Sequence, residues 1–173
     1  ANGTPIVLAQ SLTSAQLTTL QYLAPDDYDG SSPVGAFRYQ VDDGAAEPNS
    51  QVTGSVTLYV TPVNDLPVVA SGTLTVDEEI VGTPLALPAP TDVEGEALTV
   101  TITELPVLGR ITLADGTPLS NMQQLTLQEF SGLRYDAPGE YNGSDPVGDF
   151  RYQVSDGHGV SEGSVALTVV AIN

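Results

Sequence analysis

Carboxylates are the residues of this chain with the greatest capacity for chemistry. There are 22 Asp and Glu against four cationic side chains, a net charge of -18 over 173 residues, and every cation is an Arg. Paired carboxylates can run general acid–base or glycosidic chemistry, and groups of them can hold divalent cations. A Ser–His–Asp triad needs an imidazole oriented by a buried acid. The single imidazole, His158, lies in Asp156-Gly157-His158-Gly159, the composition of an exposed turn. Sugar-cleaving clefts are commonly walled by aromatics, whereas this chain has no Trp and only 6% aromatic residues. These features argue against an enzyme. The absence of Cys excludes disulfides, thiolate zinc sites and iron–sulfur clusters. A chain this acidic lacks the basic stripe that nucleic-acid phosphates require. No apolar run reaches the 18 residues of a membrane-spanning helix, so membrane insertion is not expected.

The elements that position these acids are organised by an internal repeat. Ala1-Asn2-Gly3-Thr4-Pro5 answers Ala114-Asp115-Gly116-Thr117-Pro118, an offset of 113 positions. The same offset carries Leu20-Gln21-Tyr22-Leu23-Ala24-Pro25 onto Leu133-Arg134-Tyr135-Asp136-Ala137-Pro138. It also carries Pro33-Val34-Gly35-Ala36-Phe37-Arg38-Tyr39-Gln40-Val41 onto Pro146-Val147-Gly148-Asp149-Phe150-Arg151-Tyr152-Gln153-Val154. Beyond the Asp43-Gly44 and Asp156-Gly157 turns, Gly54-Ser55-Val56 matches Gly163-Ser164-Val165 at an offset of 109, so the first copy carries four extra residues. His158 answers Ala45, which weakens any role shared by the copies. The unit of about 110 residues has the size of one small β-sandwich domain.

Residues 65–173 form a complete copy, and residues 1–64 answer only its C-terminal half. Half a sandwich exposes an inner face and strand edges. It is completed by packing on the second copy, by pairing with another chain, or by a folding unit whose boundaries are permuted relative to the repeat. Strand patterns dominate: Leu98 to Thr103, Phe150 to Val154 and Ser164 to Val169 alternate apolar and polar residues. Thr126-Leu127-Gln128-Glu129 and Thr13-Ser14-Ala15-Gln16 fit capping boxes that start single helical turns, directing Phe130 and Leu17 inward. The fold class is therefore all-β, a Greek-key β-sandwich of cadherin or immunoglobulin-like tandem repeats. The chain opens without Met or a charged leader and reads as a piece of a longer, secreted, cell-surface polypeptide.

The stretch Leu133 to Asp145, followed by Asp149-Phe150-Arg151-Tyr152-Gln153-Val154-Ser155-Asp156-Gly157, resembles the C-terminal half of bacterial cadherin-like repeats, of the tandem-95 and VCBS-related kind found in large RTX-type surface adhesins. Asn64-Asp65-Leu66-Pro67 is similar to the cadherin linker. Asp92-Val93-Glu94-Gly95-Glu96 resembles the acidic loop that follows it, and Val76 to Thr83 resembles the early acidic motif. The resemblance implies calcium. Carried over residue by residue, the ligands at the junction between copies are Asn64, Asp65, Asp92, Glu94 and Asp156. Glu78 or Glu79 with Glu129, joined by Asn173, would serve a junction to a following repeat. Pro62 and Leu66 depart from the linker motif, so one or two ions per junction are expected.

The Asp26, Asp27, Asp29 and Asn142, Asp145, Asp149 groups read as turn residues, and Tyr39 and Tyr152 as core packing. The implied function is a non-catalytic extender repeat whose partners are neighbouring repeats of the same polypeptide. Calcium would stiffen the junctions so that the adhesin projects for cell adhesion or biofilm formation. The alternative is an adhesive module of the same class that itself binds carbohydrate or another adhesin.

Overall fold

The computed structural model describes residues 3–45 and 51–172. Asn173 and residues 46–50, where most of the four-residue excess of the first copy falls, lie outside the described residues. The chain divides into two compact units, Ala1–Val63 and Asn64–Asn173.

In the first unit α1 spans Ser14–Leu17, β1 spans Ala36–Asp42 and β2 spans Gln51–Thr57. In the second, β3 spans Gly72–Asp77, β4 Thr83–Pro84, β5 Thr99–Glu104, β6 Arg110–Thr112, β7 Gln124–Leu125, α2 Leu127–Ser131, β8 Arg134–Asp136, β9 Asp149–Ser155 and β10 Val160–Val170.

The second unit is the expected all-β sandwich. One sheet has the order β3-β10-β9-β5-β7 and the other β4-β8-β6. Apolar residues at every second position of β9 and β10 send Phe150, Tyr152, Val154, Val165, Leu167 and Val169 into the core. β10 runs parallel to β3, with Leu167 opposite Leu74, and antiparallel to β9, with Val165 opposite Phe150. β5 closes the other side of β9, pairing Val100 with Val154 and Ile102 with Tyr152 before a bulge shifts the register near Glu104. The second sheet contributes Ile111 and Tyr135, both at most 1% exposed.

The capping box at α2 forms as its sequence predicts: Thr126 Oγ1 accepts the Glu129 N–H at 3.2 Å, and Glu129 Oε2 accepts the Thr126 N–H at 2.8 Å. One helical turn then carries Phe130 against Tyr152, ring centroids 4.6 Å apart. Tyr152 in turn lies over Gly163, where a Cβ would sit 2.4 Å from the ring, so only Gly admits this packing.

The first unit repeats this local design without its core. Thr13 and Gln16 form the same capping box at α1. β1 and β2 pair antiparallel, with Phe37 opposite Val56 and Tyr39 opposite Gly54. The Phe37 and Tyr39 rings stack at 5.9 Å and 23°, close to the 5.9 Å and 26° of Phe150 and Tyr152. Yet no described residue of this unit is buried. Tyr22 is 49% exposed where its counterpart Tyr135 is 0%, and Val56 is 50% exposed where Val165 is 2%.

Candidate metal centre

Three loops at one end of the second sandwich bring acids together: residues 64–66, which enter the unit, residues 92–96, and the 156–159 turn between β9 and β10. Asp and Asn build these loops because their short side chains accept backbone N–H groups and so hold tight turns. Asp92 Oδ1 accepts the N–H of Glu94 at 2.9 Å and of Glu96 at 3.4 Å. Asp156 Oδ1 accepts the N–H of His158 at 2.7 Å and of Gly159 at 2.6 Å. Two long-range contacts tie the loops to one another. Asn64 Nδ2 donates to Asp156 Oδ2 at 3.0 Å, and the Asp65 N–H reaches Glu94 Oε2 at 3.4 Å.

All five residues proposed for this junction from the sequence, Asn64, Asp65, Asp92, Glu94 and Asp156, belong to this one network. Its outer carboxylate oxygens are the informative ones. Asp92 Oδ2 and Glu94 Oε1 are buried and accept no hydrogen bond. A desolvated carboxylate oxygen without a donor is costly, by roughly 1–3 kcal/mol or more for a charged group, unless a proton or a cation meets it. The three arginines of this unit are engaged elsewhere: Arg110 pairs with Asp136, Arg151 with Glu104 and Asp149, and Arg134 reaches the Gly82 carbonyl. The residues fit a hard divalent cation, which takes six to eight oxygens from carboxylates, amides and carbonyls. Asp92 and Glu94 would supply the two orphan oxygens, and the Asn64 amide oxygen is left over once its nitrogen has bonded Asp156.

The structure adds Glu96 and His158 to the network. Glu96 Oε2 lies 3.3 Å from His158 Nδ1, and these two residues with Asp156 present ligand atoms all within 4.8 Å of one another. Sequence reasoning left Glu96 out of the ligand set, although it is the third acid of a five-residue loop. His158 reads as an exposed turn residue in sequence, and the ring is 65% exposed while facing Glu96. A hard cation favours the Glu96 oxygen over the imidazole.

The second expected group is not drawn together. Glu78 is buried at the opposite end of β10, where Oε2 accepts the Tyr141 N–H at 2.7 Å and Oε1 the Ile172 N–H at 2.6 Å. Glu79 is exposed in the following turn. Glu129 Oε2 takes both the N–H and the hydroxyl of Thr126, each at 2.8 Å. The contacts found for Glu78 and Glu129 are therefore those of a loop clasp and a helix cap. Asn173 lies outside the described residues.

Residues 64–169, the whole of this sandwich and its acidic loops, match the family of the bacterial Ig domain. The chain belongs to the bacterial Ig domain family. This agrees with the bacterial Ig-like repeat and the β-sandwich expected from the sequence, in broader terms than the cadherin-like class. No match is found among curated proteins. Similar solved structures include an endo-fucoidan hydrolase of glycoside hydrolase family 107, at 19% identity over 80% of this chain and 19% of that one, with a TM-score of 0.37. Another is the titin z1z2 domains in complex with telethonin, at 16% identity over 95% of this chain and 79% of that one, with a TM-score of 0.31. The chain thus spans about a fifth of the hydrolase chain. Among the described residues no helix is long and apolar enough to cross a membrane.

The same hydrogen bonds make the Ig domain acid-sensitive. The Asn64 amide, followed by the Gly159 and His158 N–H groups, outweighs burial and holds the Asp156 carboxyl at about 2, below its ordinary 3.8. The Tyr141 and Ile172 N–H groups likewise lower Glu78 from its ordinary 4.5. Both groups bind protons more weakly folded than unfolded. Their contribution is therefore complete above the unfolded values and is lost as pH falls toward the folded ones. Thermal melts should accordingly show the 64–173 unit losing stability below about pH 4.5, most steeply between about 4 and 2. Asn64→Ala should raise the Asp156 titration followed by carboxyl NMR. An unmoved Asp156 midpoint in that variant would rule out the assigned cause.

Proposed function

We propose that this bacterial Ig domain is a non-catalytic, calcium-binding extender module of a large bacterial surface adhesin. Calcium held by Asp92 and Glu94, with Asn64, Asp65, Glu96 and Asp156 around it, would fasten the residues by which the chain enters the sandwich. Restraining that connection removes hinge freedom, so that a series of such repeats projects an adhesive tip for cell adhesion or biofilm formation. Family membership supports a surface-protein module, and an extracellular setting supplies calcium in excess. The observation that carries the metal reading is the pair of buried carboxylate oxygens, Asp92 Oδ2 and Glu94 Oε1, that no protein donor meets. Binding would also neutralise part of the -18 charge.

Calorimetry and small-angle scattering with calcium, and again with chelator, test this reading. The expected result is a higher melting temperature and a narrower distribution of dimensions with the ion. An unchanged melting temperature and unchanged dimensions on chelation would sink it.

A further inference from the structure

We infer that Glu96, Asp156 and His158 form a second metal site, for a divalent transition ion of zinc's character, beside the oxygens assigned to calcium. The inference deepens the metal reading above, but it rests only on the convergence of the 92–96 loop with the 156–159 turn and not on calcium itself. Donor chemistry separates the two positions. Asp92 and Glu94 offer oxygens alone, and their unmet atoms are the buried Oδ2 and Oε1, a set that suits a hard cation. Glu96 and Asp156 offer oxygens beside an imidazole, and one nitrogen with two carboxylates is a donor set that zinc accepts and calcium does not seek.

The distances have the scale of a metal site. Glu96 Oε2 and His158 Nδ1 lie 3.3 Å apart. An imidazolium–carboxylate hydrogen bond closes to about 2.7–2.9 Å. Two ligands on one tetrahedral zinc, each bonded at about 2.0–2.2 Å, stand about 3.3–3.5 Å from one another. The ligand atoms of all three residues fall within 4.8 Å of one another. The side chains of His158 and Glu96 are 65% and 30% exposed, so both close on the third ligand without disturbing the core.

Asp156 is the fixed member of the set. It is buried, with Oδ1 taking the N–H groups of His158 and Gly159 and Oδ2 taking the Asn64 amide. Two donors fill Oδ1, whereas one donor leaves Oδ2 a lone pair for an ion. The same donors hold this carboxyl at about 2, so it meets a cation as the anion throughout the neutral range. Glu96 is braced as well, because Asp92 Oδ1 accepts its N–H at 3.4 Å. Outer hydrogen bonds of this kind orient metal ligands. Three protein ligands leave the fourth tetrahedral position to water. A bound ion would join the 92–96 loop to the turn between β9 and β10.

His158 is the only imidazole of the chain, so its ring signals report on this site alone. Zinc chloride titrated into the full chain should shift the nitrogen-15 resonance of one His158 ring nitrogen to a metal-bound value, saturably, with a matching heat in calorimetry. Calcium chloride alone should leave both ring nitrogens unligated. His158→Ala installs the residue that the first copy carries at Ala45, and the same turn accommodates it. That variant and Glu96→Gln should each weaken zinc binding by about 10-fold or more. Ring nitrogens that stay unligated at saturating zinc would overturn the inference, and so would an unchanged zinc affinity in His158→Ala. The calcium reading is judged by melts in calcium without zinc, so either reading can fail alone.

Discussion

Phe150→Ala will destabilise the 64–173 unit by about 3–5 kcal/mol, whereas Phe37→Ala, the same substitution at the equivalent position, will cost less than about 1 kcal/mol. The two residues share their neighbours in sequence, their strand type and their stacked tyrosine. They differ in what covers them. Phe150 is 0% exposed between two sheets, in a core that includes Ile102, Tyr152 and Val165. Removing it leaves a cavity that the bulged β5–β9 pairing and the α2 cap hold open, so the cavity cost adds to the lost transfer energy. Phe37 lies half-buried on a two-stranded sheet in a unit with no buried described residue. Its truncation removes less buried area than that of Phe150 and leaves no enclosed cavity. Chemical denaturation monitored by NMR, which resolves the two units, measures both values. Comparable losses in the two variants would show that the first unit is covered after all.

On the calcium reading proposed above, Asp92→Asn will remove most of the stabilisation that calcium gives the 64–173 unit. For a single site at a calcium concentration 100-fold above its dissociation constant, the wild-type gain is about 2.7 kcal/mol, or roughly 10 °C in melting temperature. Asp92 carries this effect because its Oδ1 braces the loop through the Glu94 and Glu96 N–H groups while its Oδ2 is buried without a donor. Asn keeps an oxygen for the loop and puts an uncharged NH2 where the ion would sit. The variant should therefore fold, and in chelator its stability should equal or exceed that of the wild type, since one of several crowded carboxylates is gone. Asp26→Asn, in the first unit, should leave the calcium response intact. Equal calcium responses in wild type and Asp92→Asn, read by melts at matched free calcium, would refute the site.

Several features of this protein were legible without coordinates because they are local. The period-two alternation in 150–154 and 164–169 is set by which face of a pleated strand each residue occupies. Thr126 with Glu129 and Thr13 with Gln16 encode their caps within one helical turn. The 113-residue offset follows from identity alone. The five residues 64, 65, 92, 94 and 156 were found through a family resemblance, and the fold places them in one network because the loops that carry them leave the same end of the sandwich.

The remaining features depended on partners far apart in the chain. Glu78 reads as a junction ligand by family resemblance, yet its oxygens accept the amides of Tyr141 and Ile172, and the parallel register of β3 with β10 brings Ile172 within reach. Glu129 had two readings, cap and ligand, and the Thr126 hydrogen bonds satisfy the first. The Glu96 carboxylate meets the 156–159 turn through His158, which the fold places beside it. Phe37 and Phe150 show the limit most directly: their neighbouring residues in sequence agree, and burial separates them. Sequence determined the strand pattern, the turns, the caps and the repeat, since each is fixed by residues within a few positions or by self-similarity. Tertiary structure alone decided which carboxylates are satisfied, which are orphaned and which copy owns a core, because burial and hydrogen-bond partners depend on what packs across the sandwich.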